Sequence, residues 1–134
     1  MKNIIFVIFI AIVSNCNSQE IKFLDEEPSQ NDVLIIDQTI GNEKNLVTFT
    51  ENYDDDFVSV NINSKRIFSD SISTDANFGA ARGIEVDRNC NSIIIGVNKK
   101  KLIIKNYPEY RFIYIKKDED EYYIDYRKKP IKFN

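Results

Sequence analysis

The chain has 134 residues, with 18 lysines and arginines against 21 aspartates and glutamates and no histidine, which gives a net charge of −3. The basic clusters at residues 99–101 and 127–129 are small, and this argues against a nucleic-acid partner because phosphate binding needs a concentrated basic face. Without histidine the chain lacks the usual general base of serine and cysteine hydrolases, and its four glycines are spread singly rather than forming a phosphate-binding loop. The composition therefore predicts a non-catalytic protein without a cofactor.

The first eighteen residues carry the pattern of an export signal. Met1 and Lys2 form a short positive region, and residues 4–13 form an uninterrupted apolar run. A helix that spans a membrane needs roughly 20 apolar residues, whereas a signal peptide has roughly 7 to 15, followed by small or polar residues. Residues 1–18 are therefore predicted to be a signal peptide of an exported protein.

Two cleavage sites are compatible with this signal peptide. The stretch Val13-Ser14-Asn15-Cys16 resembles the lipobox of bacterial lipoproteins, with Asn15 where glycine, alanine or serine is usual. The resemblance covers residues 1–16 and implies that Cys16 carries two or three acyl chains, which anchor a protein stably to a leaflet facing the periplasm or the cell exterior. The alternative is ordinary cleavage after Ser18, which discards Cys16 and gives a soluble secreted protein.

Residues 19–31 are mostly polar and contain Pro28, which predicts a tether, and residues 32–134 are predicted to form one domain. Short runs rich in β-branched and aromatic residues follow one another in this domain, several with apolar residues at alternate positions. They predict strands at residues 32–38, 45–51, 57–62, 66–72, 83–87, 92–97, 101–105, 110–116 and 121–127. Because no segment between them has the length and period of a crossover helix, we expect an all-β fold, a single antiparallel β-sandwich of immunoglobulin-like or transthyretin-like build.

The last predicted hairpin brings several tyrosines close together. Tyrosine gives a large, rigid and amphipathic contact area, so it is favoured at recognition surfaces. Ordinary strand pairing and half-buried packing explain the same residues, and the abundance of Ile, Asn, Lys, Tyr and Phe in this chain favours that explanation. The candidate ligand-binding tyrosines are Tyr114, Tyr122, Tyr123 and Tyr126.

Residues 73–82 form the longest stretch without strand character after residue 44. Small residues surround a single aromatic residue, Phe78, and Gly79 permits backbone angles that other residues avoid. A loop on a β-scaffold that presents one aromatic residue is suited to binding, which makes Phe78 and Arg82 candidate ligand-binding residues. The alternative, which the usual burial of phenylalanine favours, places Phe78 in the core and leaves Arg82 exposed.

Acidic clusters lie at residues 25–27, 54–56 and 118–121. Their carboxylates are ligands that calcium prefers, but they lack the spacing of a calcium-binding loop, so solvated turns without a metal are predicted. Cys90 has no imidazole partner to activate it, and a buried or half-buried free thiol is predicted, with an intermolecular disulfide as the alternative.

Two functions of different classes are compatible with these features. The first, which we favour, is an interaction module that binds a protein or a glycan through an exposed patch of tyrosines or Phe78. The second is a small acidic inhibitor or immunity-type protein that caps an exported toxin or hydrolase, and it requires residues 54–56 and 118–121 to share one end of the fold. A small carbohydrate-active enzyme is the weakest alternative, because nothing in the sequence distinguishes two catalytic carboxylates among the 21 acidic residues.

Overall fold

The computed structural model describes residues 19–131, so the signal peptide and Cys16 lie outside the described residues. This part of the chain forms nine strands and one helix. In chain order they are β1 (Gln19–Leu24), α1 (Gln30–Ile40), β2 (Lys44–Phe49), β3 (Asp56–Ile62), β4 (Lys65–Ile72), β5 (Arg82–Asp87), β6 (Ser92–Val97), β7 (Lys100–Lys105), β8 (Phe112–Asp118) and β9 (Glu121–Arg127).

The strands form two sheets, a five-stranded sheet in the order β1-β9-β8-β2-β5 and a four-stranded sheet in the order β4-β3-β6-β7. The prediction of a mostly β fold rich in antiparallel pairs is confirmed. Two pairs depart from the predicted antiparallel arrangement, because β1 runs parallel to β9 and β2 runs parallel to β8. The partners in each parallel pair lie far apart in the chain, as parallel neighbours require. The helix α1 lies in the connection between β1 and β2, which are not neighbours in the sheet.

The two sheets share one hydrophobic core. Alternate side chains of each strand point to opposite faces of a sheet, so one apolar set per strand meets the apolar set of the facing sheet. Burying each of these side chains contributes about 1.5 to 3 kcal/mol of transfer free energy. Members of the core that are essentially inaccessible to solvent include Val47, Phe49, Val58, Val60, Ile93, Ile95, Leu102, Ile113, Ile115, Tyr122, Ile124 and Tyr126.

Residues 30–40 form a helix, so the strand predicted at residues 32–38 is wrong. The β-branched residues of this stretch favour a strand, but a capping box fixes the helix start. The Ser29 hydroxyl accepts a hydrogen bond from the Asp32 N–H at 3.1 Å, and the Asp32 carboxylate accepts one from the Ser29 N–H at 3.0 Å. Gly41 follows the last helical residue with a φ of 82°, a conformation that glycine adopts without strain.

The helix packs on the outer face of the five-stranded sheet. Ile36 and Ile40 are four residues apart, so they lie on the same side of the helix, and both are buried against Phe112 and Tyr114 of β8. This packing secures α1 and covers one part of the sheet. The rest of the outer face, toward the β8–β9 turn, stays open.

The segment predicted as a tether is structured at both ends. Gln19–Leu24 form the edge strand β1, and the ring of Phe23 stacks on that of Tyr126, with centroids 4.8 Å apart and planes 10° apart. Only residues 25–29 connect β1 to α1. The folded domain therefore includes β1 and the start of α1 and does not begin at residue 32.

One end of the two sheets, which we call the acidic end, collects the loops 50–55, 73–81, 98–99 and 118–121 and the start of β1. Strand register places them together, because Gln19 pairs with Tyr122 beside the β8–β9 turn, and Asp56 pairs with Ile72 before the 73–81 loop. The Lys117 ammonium lies 2.9 Å from the Asp56 carboxylate and links the two sheets at this end.

Candidate functional site

A pocket of about 380 Å³ lies on the open part of the outer face of the five-stranded sheet. We call it the outer pocket. Its volume falls within the range of roughly 300 to 1,000 Å³ that is usual for small-molecule sites. It is lined by Glu20 and Lys22 of β1, Thr50 and Glu51 after β2, Gly79 of the 73–81 loop, Tyr114 and Lys116 of β8, Tyr123, Ile124 and Asp125 of β9, and Ile131.

Strand alternation determines which side chains face this pocket. On β9, Tyr122, Ile124 and Tyr126 are buried in the core, so Tyr123 and Asp125 face outward between them. The same alternation on β8 places Tyr114 and Lys116 on the outer face. The parallel pairing of β1 with β9 then adds Glu20 beside Tyr123 and Lys22 beside Asp125.

The two tyrosines of the pocket remain protonated phenols at neutral pH. The Tyr123 hydroxyl donates a hydrogen bond to the Glu121 carboxylate at 2.9 Å, and this bond raises the pKa of Tyr123. Burial raises the pKa of Tyr114, whose hydroxyl accepts a hydrogen bond from the Ile131 N–H at 2.8 Å. Neither ring therefore brings a negative charge to the pocket. Tyr123 is half-buried and offers aromatic surface and a hydroxyl, whereas Tyr114 is 5% exposed and lines the pocket with little of its surface.

Charged groups of both signs surround these rings. The Lys116 ammonium lies 3.3 Å from the Glu51 carboxylate, an exposed pair that a ligand can open at little cost. Asp125 Oδ2 accepts a hydrogen bond from Arg127 Nε at 3.0 Å, and Asp125 Oδ1 has no hydrogen-bond partner among the described residues. Together with Lys22 and Glu20, these groups supply donors and acceptors within one cavity, an arrangement that suits a polar ligand.

The structure brings together only two of the four candidate tyrosines, Tyr114 and Tyr123. Tyr122 and Tyr126 are each 1% exposed and lie between the sheets. The Tyr126 hydroxyl donates to the Lys105 carbonyl at 2.6 Å, which satisfies it internally. Burial makes both rings inaccessible to a ligand, so the explanation by packing applies to them.

Phe78 is 62% exposed, so the placement in the core that its residue type favours is wrong. The loop turns tightly before it reaches the core, because the Phe78 and Gly79 N–H groups both donate to the Asp75 carbonyl, at 3.2 and 2.8 Å. Gly79 has a φ of 73°, which completes the turn. Phe78 is thus presented at the acidic end, next to the wall of the outer pocket.

Arg82 is exposed at the start of β5, as the sequence predicts. Its guanidinium lies over the Phe68 ring, 5.2 Å from the ring centroid. It does not line the outer pocket.

The charged pocket residues were not candidates from the sequence. Side chains two residues apart in a strand point to the same face of the sheet. Lys116 and Asp125 lie two residues after Tyr114 and Tyr123, so alternation alone could have identified them. Glu20 and Lys22 depend on β1, a six-residue segment in which polar residues and three apolar ones, Ile21, Phe23 and Leu24, are mixed, and this gives little indication of a strand. Glu51 enters the pocket from a loop.

Cys90 is buried, as predicted, and forms no disulfide within residues 19–131. The Asn106 side-chain amide lies 3.3 Å from its sulfur, and burial raises the pKa of the thiol. A protonated, enclosed thiol is a poor nucleophile, so Cys90 belongs to the packing of the core.

The acidic clusters at residues 54–56 and 118–121 share the acidic end. Asp56 itself is buried. Burial raises its pKa, but hydrogen bonds from Lys117 and from the Asn98 amide, at 2.9 and 2.7 Å, outweigh this effect and lower the pKa below its usual range. The other acidic residues of the two clusters are exposed, and Asp120 pairs with Lys100. Within residues 19–131, no group of three or more Cys, Asp or Glu side chains is placed to hold a metal ion.

Comparison with protein-family models, with curated proteins and with solved structures finds no match for this chain. In the described part of the chain, no helix is both long and apolar enough to cross a membrane.

Proposed function

We propose that this chain is an exported, non-catalytic protein of the bacterial cell envelope, anchored by lipid on Cys16, and that it binds a protein or a glycan in the outer pocket. The observation that supports this function is the pocket itself, a cavity of about 380 Å³ in which two tyrosines lie among charged side chains of both signs. Its residues lie mainly on paired strands, and sites on such elements are held more rigidly than sites on loops.

The chemistry of the lining favours a polar ligand without a large net charge. Lys22 and Lys116 can donate hydrogen bonds, and Glu20, Glu51 and Asp125 can accept them. The half-buried ring of Tyr123 supplies most of the aromatic contact area beside these groups, because Tyr114 is 5% exposed. A sugar ring or a short polar segment of a protein presents the same mixture of hydroxyl, amide and apolar surface.

The test is a titration of the purified protein with two defined sets of probes, neutral disaccharides and short polar peptides, followed by two-dimensional NMR of the backbone amides. We expect one set to shift the amides of Lys22, Lys116, Tyr123 and Asp125. The variant Tyr123→Ala should weaken that binding by about tenfold or more, since an aromatic contact with its buried area contributes more than about 1.4 kcal/mol.

The matched control is Phe57→Ala, which removes an exposed aromatic ring from the other sheet and should leave binding unchanged. Shifts confined to residues outside the pocket, or equal affinity of the Tyr123→Ala and wild-type proteins, would show that the pocket is not the binding site.

A second candidate function is supported by the acidic end. Residues 54–56 and 118–121 share one end of the fold, as an inhibitor or immunity-type protein that caps a basic toxin or hydrolase requires. Lysines 99–101, 116 and 117 lie beside these carboxylates, so the surface is mixed in charge. This mixture makes the acidic end the second choice.

Charge neutralisation tests this second function. A variant with Asp54→Asn and Asp55→Asn should lose salt-sensitive binding to a basic exported hydrolase of the same bacterium, and Glu26→Gln with Glu27→Gln, at the other end, should retain it. Equal binding by both variants would exclude a role for the acidic end.

We also propose that the two sheets form a β-sandwich of immunoglobulin-like or transthyretin-like build.

A further inference from the structure

The folded domain starts very close to the predicted lipid. Only residues 17 and 18 separate Cys16 from Gln19, the first residue of β1. From Cys16 to Gln19 is three steps along the chain, and three steps span at most about 11 Å even when the chain is fully extended. The domain therefore lacks the long tether that the sequence predicted, and a lipid on Cys16 would hold it at the bilayer surface.

Strand register determines which end of the domain faces that surface. Gln19 pairs with Tyr122, one residue after the start of β9, so the chain enters the fold at the acidic end. The 73–81 loop lies at the same end, between Ile72 of β4 and Arg82 of β5. The far end, with residues 88–91 and 106–111, is separated from Gln19 by the length of the strands.

We infer that the acidic end docks on a bilayer of zwitterionic phospholipid, with Phe78 entering the region between headgroups and acyl chains. This inference rests on the proposed lipid anchor at Cys16. Phe78 is 62% exposed on a tight turn, and Phe57, near the same end, is 46% exposed. An exposed aromatic ring held near a bilayer gains the burial of its apolar surface when it enters the interface.

The charges of this end select the type of lipid. The exposed carboxylates of Glu51 and of residues 54, 55 and 118–121 outnumber the lysines at positions 99–101, 116 and 117. A surface with excess negative charge is repelled by anionic headgroups. Zwitterionic lipid, which carries no net charge, lets Phe78 approach.

The absence of tryptophan from the chain gives a direct test. Phe78→Trp places a single fluorophore on the docking loop, and Glu109→Trp places the matched control on an exposed loop at the far end. Each full-length protein is prepared in its lipidated form, its intact mass is measured, and it is reconstituted into phosphatidylcholine vesicles with and without brominated acyl chains. Circular dichroism checks the fold of each variant, and Phe57→Trp serves as a second reporter.

We expect brominated lipid to quench the fluorescence of the Phe78→Trp protein several-fold more strongly than that of the Glu109→Trp control, and phosphatidylglycerol to reduce the difference. A lipid-modified mass with equal quenching of the Phe78→Trp and Glu109→Trp proteins would overturn the docking and leave the anchor intact. An unmodified Cys16, or a chain that begins at Gln19, would overturn the anchor and the docking together.

Discussion

Arg111 fastens α1 to the sheet that carries the outer pocket, so its replacement by methionine tests how the site is supported. The side chain is 6% exposed at the C-terminal end of the helix. Its guanidinium donates hydrogen bonds to the Gly41 carbonyl at 2.6 Å, to the Lys44 carbonyl at 2.9 Å and to the Asp37 carboxylate at 2.8 Å. Methionine preserves most of the apolar volume and removes all of these bonds, together with a longer one from Arg111 Nε to the Lys44 carbonyl at 3.3 Å.

The expected loss comes mainly from the two carbonyls. The Asp37 side chain is 34% exposed, so solvent screens the ion pair and its share is small. Hydrogen bonds from a charged donor contribute about 1.5 to 3 kcal/mol each, and the bonds to both carbonyls are partly buried. We therefore expect Arg111→Met to lower the free energy of unfolding by about 3 to 5 kcal/mol.

Equilibrium unfolding in urea at neutral pH measures this difference. Arg66→Met is the control, because Arg66 is exposed and makes one long bond, from Nε to Asn61 Oδ1 at 3.3 Å, so a change within about 0.5 kcal/mol is expected. Asp37→Asn should cost less than Arg111→Met, since it leaves both carbonyl bonds in place. If Arg111→Met costs no more than Arg66→Met, the guanidinium does not fasten the helix and the reasoning fails.

Three further changes test other parts of the structure. The pKa of Asp56 is lower in the folded than in the unfolded chain, so its charge stabilises the fold above the unfolded pKa. This stability is lost as pH falls from about 5 toward 2. The urea midpoint of unfolding should therefore fall less over that range for Asp56→Asn than for the wild-type protein. Cys90 should react with a disulfide reagent far more slowly in folded than in urea-unfolded Cys16→Ser protein, and equal rates would contradict its burial. Phe23→Ala should lower the free energy of unfolding by about 1 to 2 kcal/mol and speed amide hydrogen exchange in β1, because the Phe23 ring stacks on Tyr126 and holds this strand. Unchanged exchange would show that backbone hydrogen bonds to β9 are enough to hold β1 in place.

Local sequence specified the strands well where alternation and turn residues agree. β6 and β9 occupy the predicted ranges, residues 92–97 and 121–127. Both follow polar turns, and in β9 the buried Tyr122, Ile124 and Tyr126 alternate with half-buried Tyr123 and Asp125. Alternation determines which face is buried, so it also identifies the outward neighbours of a tyrosine.

The two errors at the start of the domain have different causes. β-branched residues at positions 33, 35 and 36 outweighed the capping signal of Ser29 and Asp32, although tertiary burial of Ile36 decides in favour of the helix. The polar composition of residues 19–24 concealed an edge strand, because an edge strand buries few of its side chains. The outer pocket depends on this strand, so its full set of residues could not be derived from local patterns.

The two candidate functions make different demands on the acidic end. Capping a toxin requires that end to be open to solution, whereas a lipid on Cys16 would hold it within about 11 Å of the bilayer. The outer pocket shares Glu51 and Gly79 with the acidic end, but Lys22, Tyr123 and Asp125 line it on the side of the five-stranded sheet, and that side is compatible with an anchored domain. A lipid-modified mature protein would therefore favour the pocket as the binding site, and a soluble protein that begins at Gln19 would make the acidic end equally available.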